Sequence, residues 1–397
     1  MMFAPHTTEI YFSLRIARIR PTVYSAYNGH LTPVKLPGAI SMLEATAIRC
    51  DYLPIFRSAG RTLVIRPLIL SSLALALFLL LVSCSGQIAG QLGSRPQLVE
   101  LLPIELDSRN PQQREFGRLE FLNGFELRSR DRRFGGLSGL TIGADGRLYA
   151  VSDAGYWVSA QMIVDSEARL LDLSDWDIQP LRSTTGAPVS DPLHDAEALA
   201  RAPDGSFMVA FEKVHRIWRY PPPPVTFYSL PSPVPLPAEI SKAPSNGGLE
   251  GIAVFSDGRL LALTEEFQNP DGTFKGWLIE DERFFELSYL PSDGFRVTDC
   301  AALSNGDVIV LERRYVPLGI LSARLKLVRA TTIQPGSKLV GEELIKLEYP
   351  LEVDNFEGVA VQEDPRNGTI IYIVSDDNYH PLQRTLLLQF RLNETPK

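Results

Sequence analysis

Carboxylates recur in this 397-residue chain at fixed distances from Asp-Gly and Asn-Gly pairs. Glu250 lies seven residues before Asp257 and Glu265 seven residues after Gly258, and Glu197 and Glu212 bracket Asp204-Gly205 by the same arithmetic. Ser138 and Asp153 do so around Asp145-Gly146, Glu357 falls opposite Ser375-Asp376-Asp377, and Thr298-Asp299 fall opposite Glu312-Arg313. A two-residue Asp-Gly or Asn-Gly turn between apolar runs closes a β-hairpin, and residues equidistant from such a turn are neighbours across the strand pair. Each set of acids is therefore expected at the open end of one hairpin. Carboxylates that converge repel one another and raise each other's pKa unless a cation neutralises them. An all-oxygen set suits Ca2+, or Mg2+ with water completing its shell, whereas five His and three Cys argue against zinc and copper. The candidate metal ligands are Asp153, Glu197, Glu212, Glu250, Asp299, Glu357 and Asp376. The competing account has these acids capping strand ends, pairing with arginines such as Arg313 and Arg314, or keeping the rim soluble.

The elements that would position them repeat. Taking Ser138, Glu197, Glu250, Thr298 and Glu357 as equivalent, the hairpins recur at intervals of 59, 53, 48 and 59 residues, near the spacing of about 40 to 50 residues for a four-stranded propeller blade. The expected fold is all-β, a β-propeller, with the acids at one mouth of its central channel. Five hairpins are visible. The segments Arg118 to Phe121 and Phe125 to Leu127, with the C-terminal run Thr385 to Leu392, suggest a sixth blade, with five as the alternative. Pro221 to Pro237 reads as a loop between blades, because proline cannot donate to a central ladder.

Serine and cysteine chemistry has little support. Ser138 lacks a Gly-x-Ser-x-Gly elbow, His194 has no sequence-visible partner, and Cys300 sits in an apolar run that reads as a buried strand. His380, just after the last acidic strand end, is the better histidine for donating to a phosphate or acting as general acid. With Glu265 and Arg313 it completes the candidate catalytic set. A formal charge of −8 offers no electrostatic footprint for nucleic acid.

The N-terminal region reads as an address. Arg57, Arg61 and Arg66 precede an apolar run of about fifteen residues, the order of an export signal, short of the about 20 that a bilayer span needs. It meets Leu81-Val82-Ser83-Cys84, which resembles a bacterial lipobox with Cys84 as the lipidated residue. An uncleaved signal anchor is the alternative; both hold the protein at a membrane and place its bulk outside the cytoplasm. The expected division is 1–56 as a disordered leader or mis-set start, 57–84 as signal or anchor, 85–112 as tether, and 113–397 as propeller.

Phe134-Gly135-Gly136-Leu137-Ser138-Gly139-Leu140, Val151-Ser152-Asp153, Asp195-Ala196-Glu197-Ala198-Leu199, Leu249-Glu250-Gly251-Ile252, Leu311-Glu312-Arg313-Arg314 and Asn355-Phe356-Glu357-Gly358 together resemble the bacterial phytase-like domain family, often labelled esterase-like. The resemblance spans about Phe116 to Arg391. It implies a propeller and, through calcium-dependent propeller phytases that hold phosphate by bridging Ca2+, a metal-dependent hydrolase of phosphate or carboxylic esters. Basic residues near these motifs are confined to Lys213, Arg313, Arg314 and Arg384, few for a highly phosphorylated substrate. A propeller that only binds a small ligand or a partner is the other functional class.

Overall fold

The computed structural model describes residues 24–27, 30–33, 98–316 and 320–393. The chain divides into two units, Met1–Cys84 and Ser85–Lys397. In the first, Tyr24–Tyr27 pairs antiparallel with His30–Pro33. The apolar segment of 57–84 and Cys84 lie outside the described residues, among which no helix is long and apolar enough to cross a membrane.

The second unit is a ring of sheets built from the repeated hairpins. Blade 1 comprises Leu137–Ile142, Arg147–Ser152, Tyr156–Val164 and Leu170–Pro180; blade 2 comprises Ala196–Arg201, Phe207–Phe211, Arg216–Tyr220 and Ser232–Val234. Blade 3 comprises Leu249–Val254, Leu260–Gln268, Phe274–Glu280 and Arg283–Tyr289, with Lys338–Leu339 added in parallel. Blade 4 comprises Arg296–Ala302, Val308–Val316, Ile320–Val328 and Glu342–Leu347. In blade 5, Phe356–Asp364, Gly368–Ser375 and Thr385–Leu392 are followed by two strands from the start of the unit, Leu119–Ser129 and Val99–Pro103.

Among the described residues the ring has five blades, which corrects the expectation of six. The segments expected as a separate strand pair are one continuous strand, Leu119–Ser129, that adds to Thr385–Leu392. This strand closes the ring by completing the last blade. Each first strand packs against the next, and Phe356–Asp364 returns to Leu137–Ile142. The apolar core follows the same division into five layers, one between each pair of adjacent blades. The largest fully buried side chain, Trp157 of blade 1, meets Tyr220 of blade 2 edge to face with centroids 5.2 Å apart. Removing apolar surface of that size from water supplies the ring's main cohesion, about 25 cal/mol per Å².

Three local features differ from the sequence expectation. The hairpins close through a longer turn than a two-residue one: Gly258 N–H donates to the Phe255 carbonyl at 2.9 Å and Phe255 N–H to that of Arg259 at 2.8 Å. The glycines of the five turns sit in the left-handed region, with φ from +72° at Gly146 to +89° at Gly258, as a bulged turn requires. Val99–Pro103 lies inside the stretch expected as a tether. The proline-rich segment is more than a loop, since Ser232–Val234 forms the outer edge of blade 2, where Pro233 leaves no central ladder short of a donor.

Candidate functional site

Every first strand carries a register shift at the same place. The skipped residues are Ser138, Glu197, Glu250, Thr298 and Glu357. A β-bulge re-aims the side chain it carries, and Ser138, Glu197, Glu250 and Glu357 line a cavity of about 1180 Å³ at one end of the ring. The second strands leave the same end. Ser152, Phe211, Thr264, Glu312 and Ser375 pair with Leu137, Ala196, Leu249, Val297 and Phe356; one residue on stand Asp153, Glu212, Glu265, Arg313 and Asp376, all lining the cavity. Two equivalent positions in five blades thus deliver seven carboxylates, one hydroxyl and one guanidinium to the cavity, while the tenth residue, Thr298, stays buried with its hydroxyl donating to the Phe356 carbonyl at 3.2 Å. The turn end of the ring holds a smaller recess of about 520 Å³, lined largely by Leu, Ile, Val, Ala and Gly, where no such cluster gathers among the described residues.

Burial shapes the protonation of this mouth. It pushes Glu197 well above the carboxylate range, with Asp195, Glu212 and Glu357 adding repulsion. It does the same to Glu250, against Glu197, Glu212 and Glu265. Burial raises Glu212 to about 7 although the N–H groups of Gly248 and Gly247 favour its ionised form. It raises Glu357 to about 7 against the charge of Arg313. Asp153 is lifted to about 6 by burial and then by Asp195, and Asp376 to about 8 by burial and then by Asp153. Burial opposes the charge on Arg313, but Glu357, Glu265 and Glu250 outweigh it and push its pKa up.

Arg313 joins three blades. Its Nη2 donates to Glu265 Oε1 at 3.2 Å, and its Nη1 to Glu357 Oε1 and to Asn355 Oδ1. Asn355 Nδ2 donates in turn to Glu357 Oε1 at 2.8 Å. Across the mouth, Asp195, Glu197 and Glu212 each offer an oxygen, and the three oxygens lie within 4.8 Å of one another. Lys213 pairs with Asp195 at 3.1 Å. Asp153 Oδ1 is buried with no hydrogen-bond partner, and a Cβ on Gly136, at φ +60°, would meet it at 2.1 Å. That glycine is the space in which the carboxylate sits. His380 is exposed at the cavity edge, its Nδ1 accepting the Leu382 N–H at 3.3 Å.

Of the candidates read from sequence, the structure brings together Asp153, Glu197, Glu212, Glu250, Glu265, Arg313, Glu357, Asp376 and His380 around one cavity. Asp299 is placed elsewhere. The bulge of blade 4 is Thr298, so Asp299 takes the next position, that of Gly139, Ala198, Gly251 and Gly358, where neighbouring first strands come closest. Its carboxylate, fully buried, accepts the Val359 N–H of blade 5 and the Cys300 N–H, both at 2.8 Å. His194 Nδ1 meets the Asp153 carbonyl at 2.5 Å. Sequence reasoning passed over Asp195 and Asn355. Asp195 was legible, since it stands two residues before Glu197 and alternation puts such residues on one face of a strand. Asn355 was not, because its role depends on an arginine from another blade.

No curated protein matches this chain. Among solved structures, a gluconolactonase from Xanthomonas campestris is 12% identical, with 75% of this chain and 99% of that one covered and a TM-score of 0.37. The catalytic domain of a Coprinopsis cinerea α-L-arabinofuranosidase is 14% identical, with 69% and 97% covered and a TM-score of 0.42. A luciferin-regenerating enzyme is 13% identical, with 66% and 94% covered and a TM-score of 0.34. Likenesses at this level carry no argument about activity. The profile of the Phytase-like family, described as esterase-like activity of phytase, matches residues 132–379. That span holds all five hairpins and every carboxylate of the mouth, so the chain belongs to the Phytase-like family.

Proposed function

We propose that this protein hydrolyses phosphate or carboxylic esters at the acidic mouth, with a divalent cation held there, Ca2+ in the first place and Mg2+ in the second. The observation that carries the proposal is the gathering of Asp195, Glu197 and Glu212 oxygens within 4.8 Å beside the buried, unpartnered Asp153 Oδ1. Oxygen donors without nitrogen or sulfur fit a hard cation, and four acids in one buried corner need a positive charge beyond that of Lys213. These four residues would hold the ion, with Glu250 and Asp376 next to them. A cation there supplies Lewis-acid polarisation of the ester and a lowered pKa for water.

The chain's own groups supply the rest. Glu265 is the proposed base, held at Oε1 by Arg313 and offering Oε2 to a water proton. Asp376 lines the same cavity and is proposed to meet the leaving oxygen. His380, at the rim, is proposed to contact the anionic part of an incoming substrate. In assays of the purified protein on aryl phosphates, aryl acetates and lactones, hydrolysis should stop in EDTA and return with Ca2+. Turnover indifferent to EDTA would remove the metal from the proposal, and silence over the whole panel would leave a binding propeller.

We further propose that the protein works outside the cytoplasm, tethered to a membrane through Cys84, on the strength of the charged-then-apolar order and lipobox-like tetrapeptide. Cys84→Ala should release it into the soluble extracytoplasmic fraction or leave its precursor unprocessed. Membrane retention at unchanged mass in that variant would favour an uncleaved anchor.

A further inference from the structure

One of the five equivalent second-strand positions breaks the acidic pattern. Blades 1, 2, 3 and 5 place Asp153, Glu212, Glu265 and Asp376 there, and blade 4 places Arg313. Its guanidinium lies between carboxylates of two other blades, Glu265 of blade 3 at 3.2 Å and Glu357 of blade 5, and Asn355 braces both Arg313 and Glu357. The opposite sector has no such arrangement. Among the described residues no basic side chain forms an ion pair with Glu197, and Lys213 reaches only Asp195. The mouth therefore has two acidic sectors, one bridged by a guanidinium that pairs with carboxylates of two blades and one in which Lys213 pairs with Asp195 while Glu197 and Glu212 have no ion pair among the described residues.

We infer that Arg313 is a built-in counter-cation filling what would otherwise be a second divalent-cation site between Glu265 and Glu357. The inference rests on the metal reading above for the ion it assigns to the other sector. A guanidinium between two carboxylates meets the same electrostatic demand as a hard ion, with directional donors in place of a coordination shell. The consequence is chemical. Two divalent ions in one mouth can hold two oxygens of a phosphorylated substrate at once, and Arg313, paired with Glu265 and Glu357, occupies the sector where a second one would sit. The substrate class that fits is an ester with one reacting centre, neutral or singly anionic, and not a polyphosphorylated one.

Counting ions tests this without any activity measurement. Ca2+ bound per chain is measured by equilibrium dialysis for wild type, R313Q and R313K, with circular dichroism to check the fold. R313Q should bind one more Ca2+ than wild type, and R313K, which keeps a positive charge in place, the same number as wild type. Wild type at one and R313Q at two supports both readings. Wild type at none and R313Q at one removes the metal reading while the counter-cation role stands. A folded R313Q that binds no more Ca2+ than wild type overturns the inference. If R313Q unfolds without ions, refolding on addition of millimolar Ca2+ counts as the gained site, and failure to refold overturns it.

Discussion

Stripped of divalent ions, the protein should lose stability as the pH rises from 5 to 8, and Ca2+ should flatten that slope. The sign follows from the mouth. Burial raises Asp376 from 3.8 to about 8, and Glu212 and Glu357 from 4.5 to about 7. The folded state therefore keeps protons that the unfolded chain has already released, and a higher pH favours unfolding. Between pH 5 and 8 Asp376 changes stability by on the order of 4 kcal/mol, at about 1.4 kcal/mol per unit, whereas a group at about 7 does so only up to that pH, by on the order of 3 kcal/mol. The acids titrate as a coupled set, so their separate contributions are not summed. Exposed ion pairs do not reverse the trend. Asp131, held at about 2 by hydrogen bonds from the Arg133 side chain and N–H, contributes stability that is complete above its unfolded pKa of 3.8 and is lost only on acidification. A divalent ion favours the ionised carboxylates and binds only the folded mouth, which should cancel the slope. Melting curves in EDTA and in millimolar Ca2+ at pH 5, 6, 7 and 8 measure it directly. A melting temperature in EDTA that rises across this range would show that the mouth acids are ionised in the folded protein without help.

The period of the hairpins was legible because Asp-Gly and Asn-Gly turns and apolar strands are local signals, and the same arithmetic placed the acids at one end. Blade number was not legible from the same signals. Whether Leu119–Ser129 begins a blade or completes one depends on pairing with Thr385–Leu392, at the far end of the chain. The bulges were also hidden, since a register shift is a property of two strands. Their effect is largest in blade 4. Counting residues from the turn cannot distinguish Thr298 from Asp299, and one position separates a bulged side chain from one held at the closest approach of two blades. Arg313 could be read as an ion-pair partner but not assigned to Glu265 and Glu357, because those contacts cross two blade boundaries.

Asp299→Ala and Glu197→Gln should separate into opposite behaviours. The Asp299 carboxylate spans blades 4 and 5, taking the Val359 N–H on one oxygen and the Cys300 N–H on the other, with no exposure to solvent. Alanine there leaves two buried N–H groups without acceptors, at about 1 to 3 kcal/mol each, so a loss of about 2 to 6 kcal/mol is expected. Because the site lies outside the mouth cavity, the increment in melting temperature produced by Ca2+ should be unchanged. Glu197 lines the cavity, and burial together with Asp195 and Glu212 disfavours its charge. Glutamine in its place removes that repulsion, so the ion-free protein should be as stable as wild type or slightly more so at pH 8. The Ca2+ increment, which follows RT ln(1 + [L]/Kd), should shrink or vanish. Melting series against Ca2+ for the two variants and wild type give both quantities. If Asp299→Ala kept wild-type stability and lost the Ca2+ increment, Asp299 would return to the metal-binding set; if Glu197→Gln kept the full increment, the corner formed with Asp195 and Glu212 would not be where the ion binds.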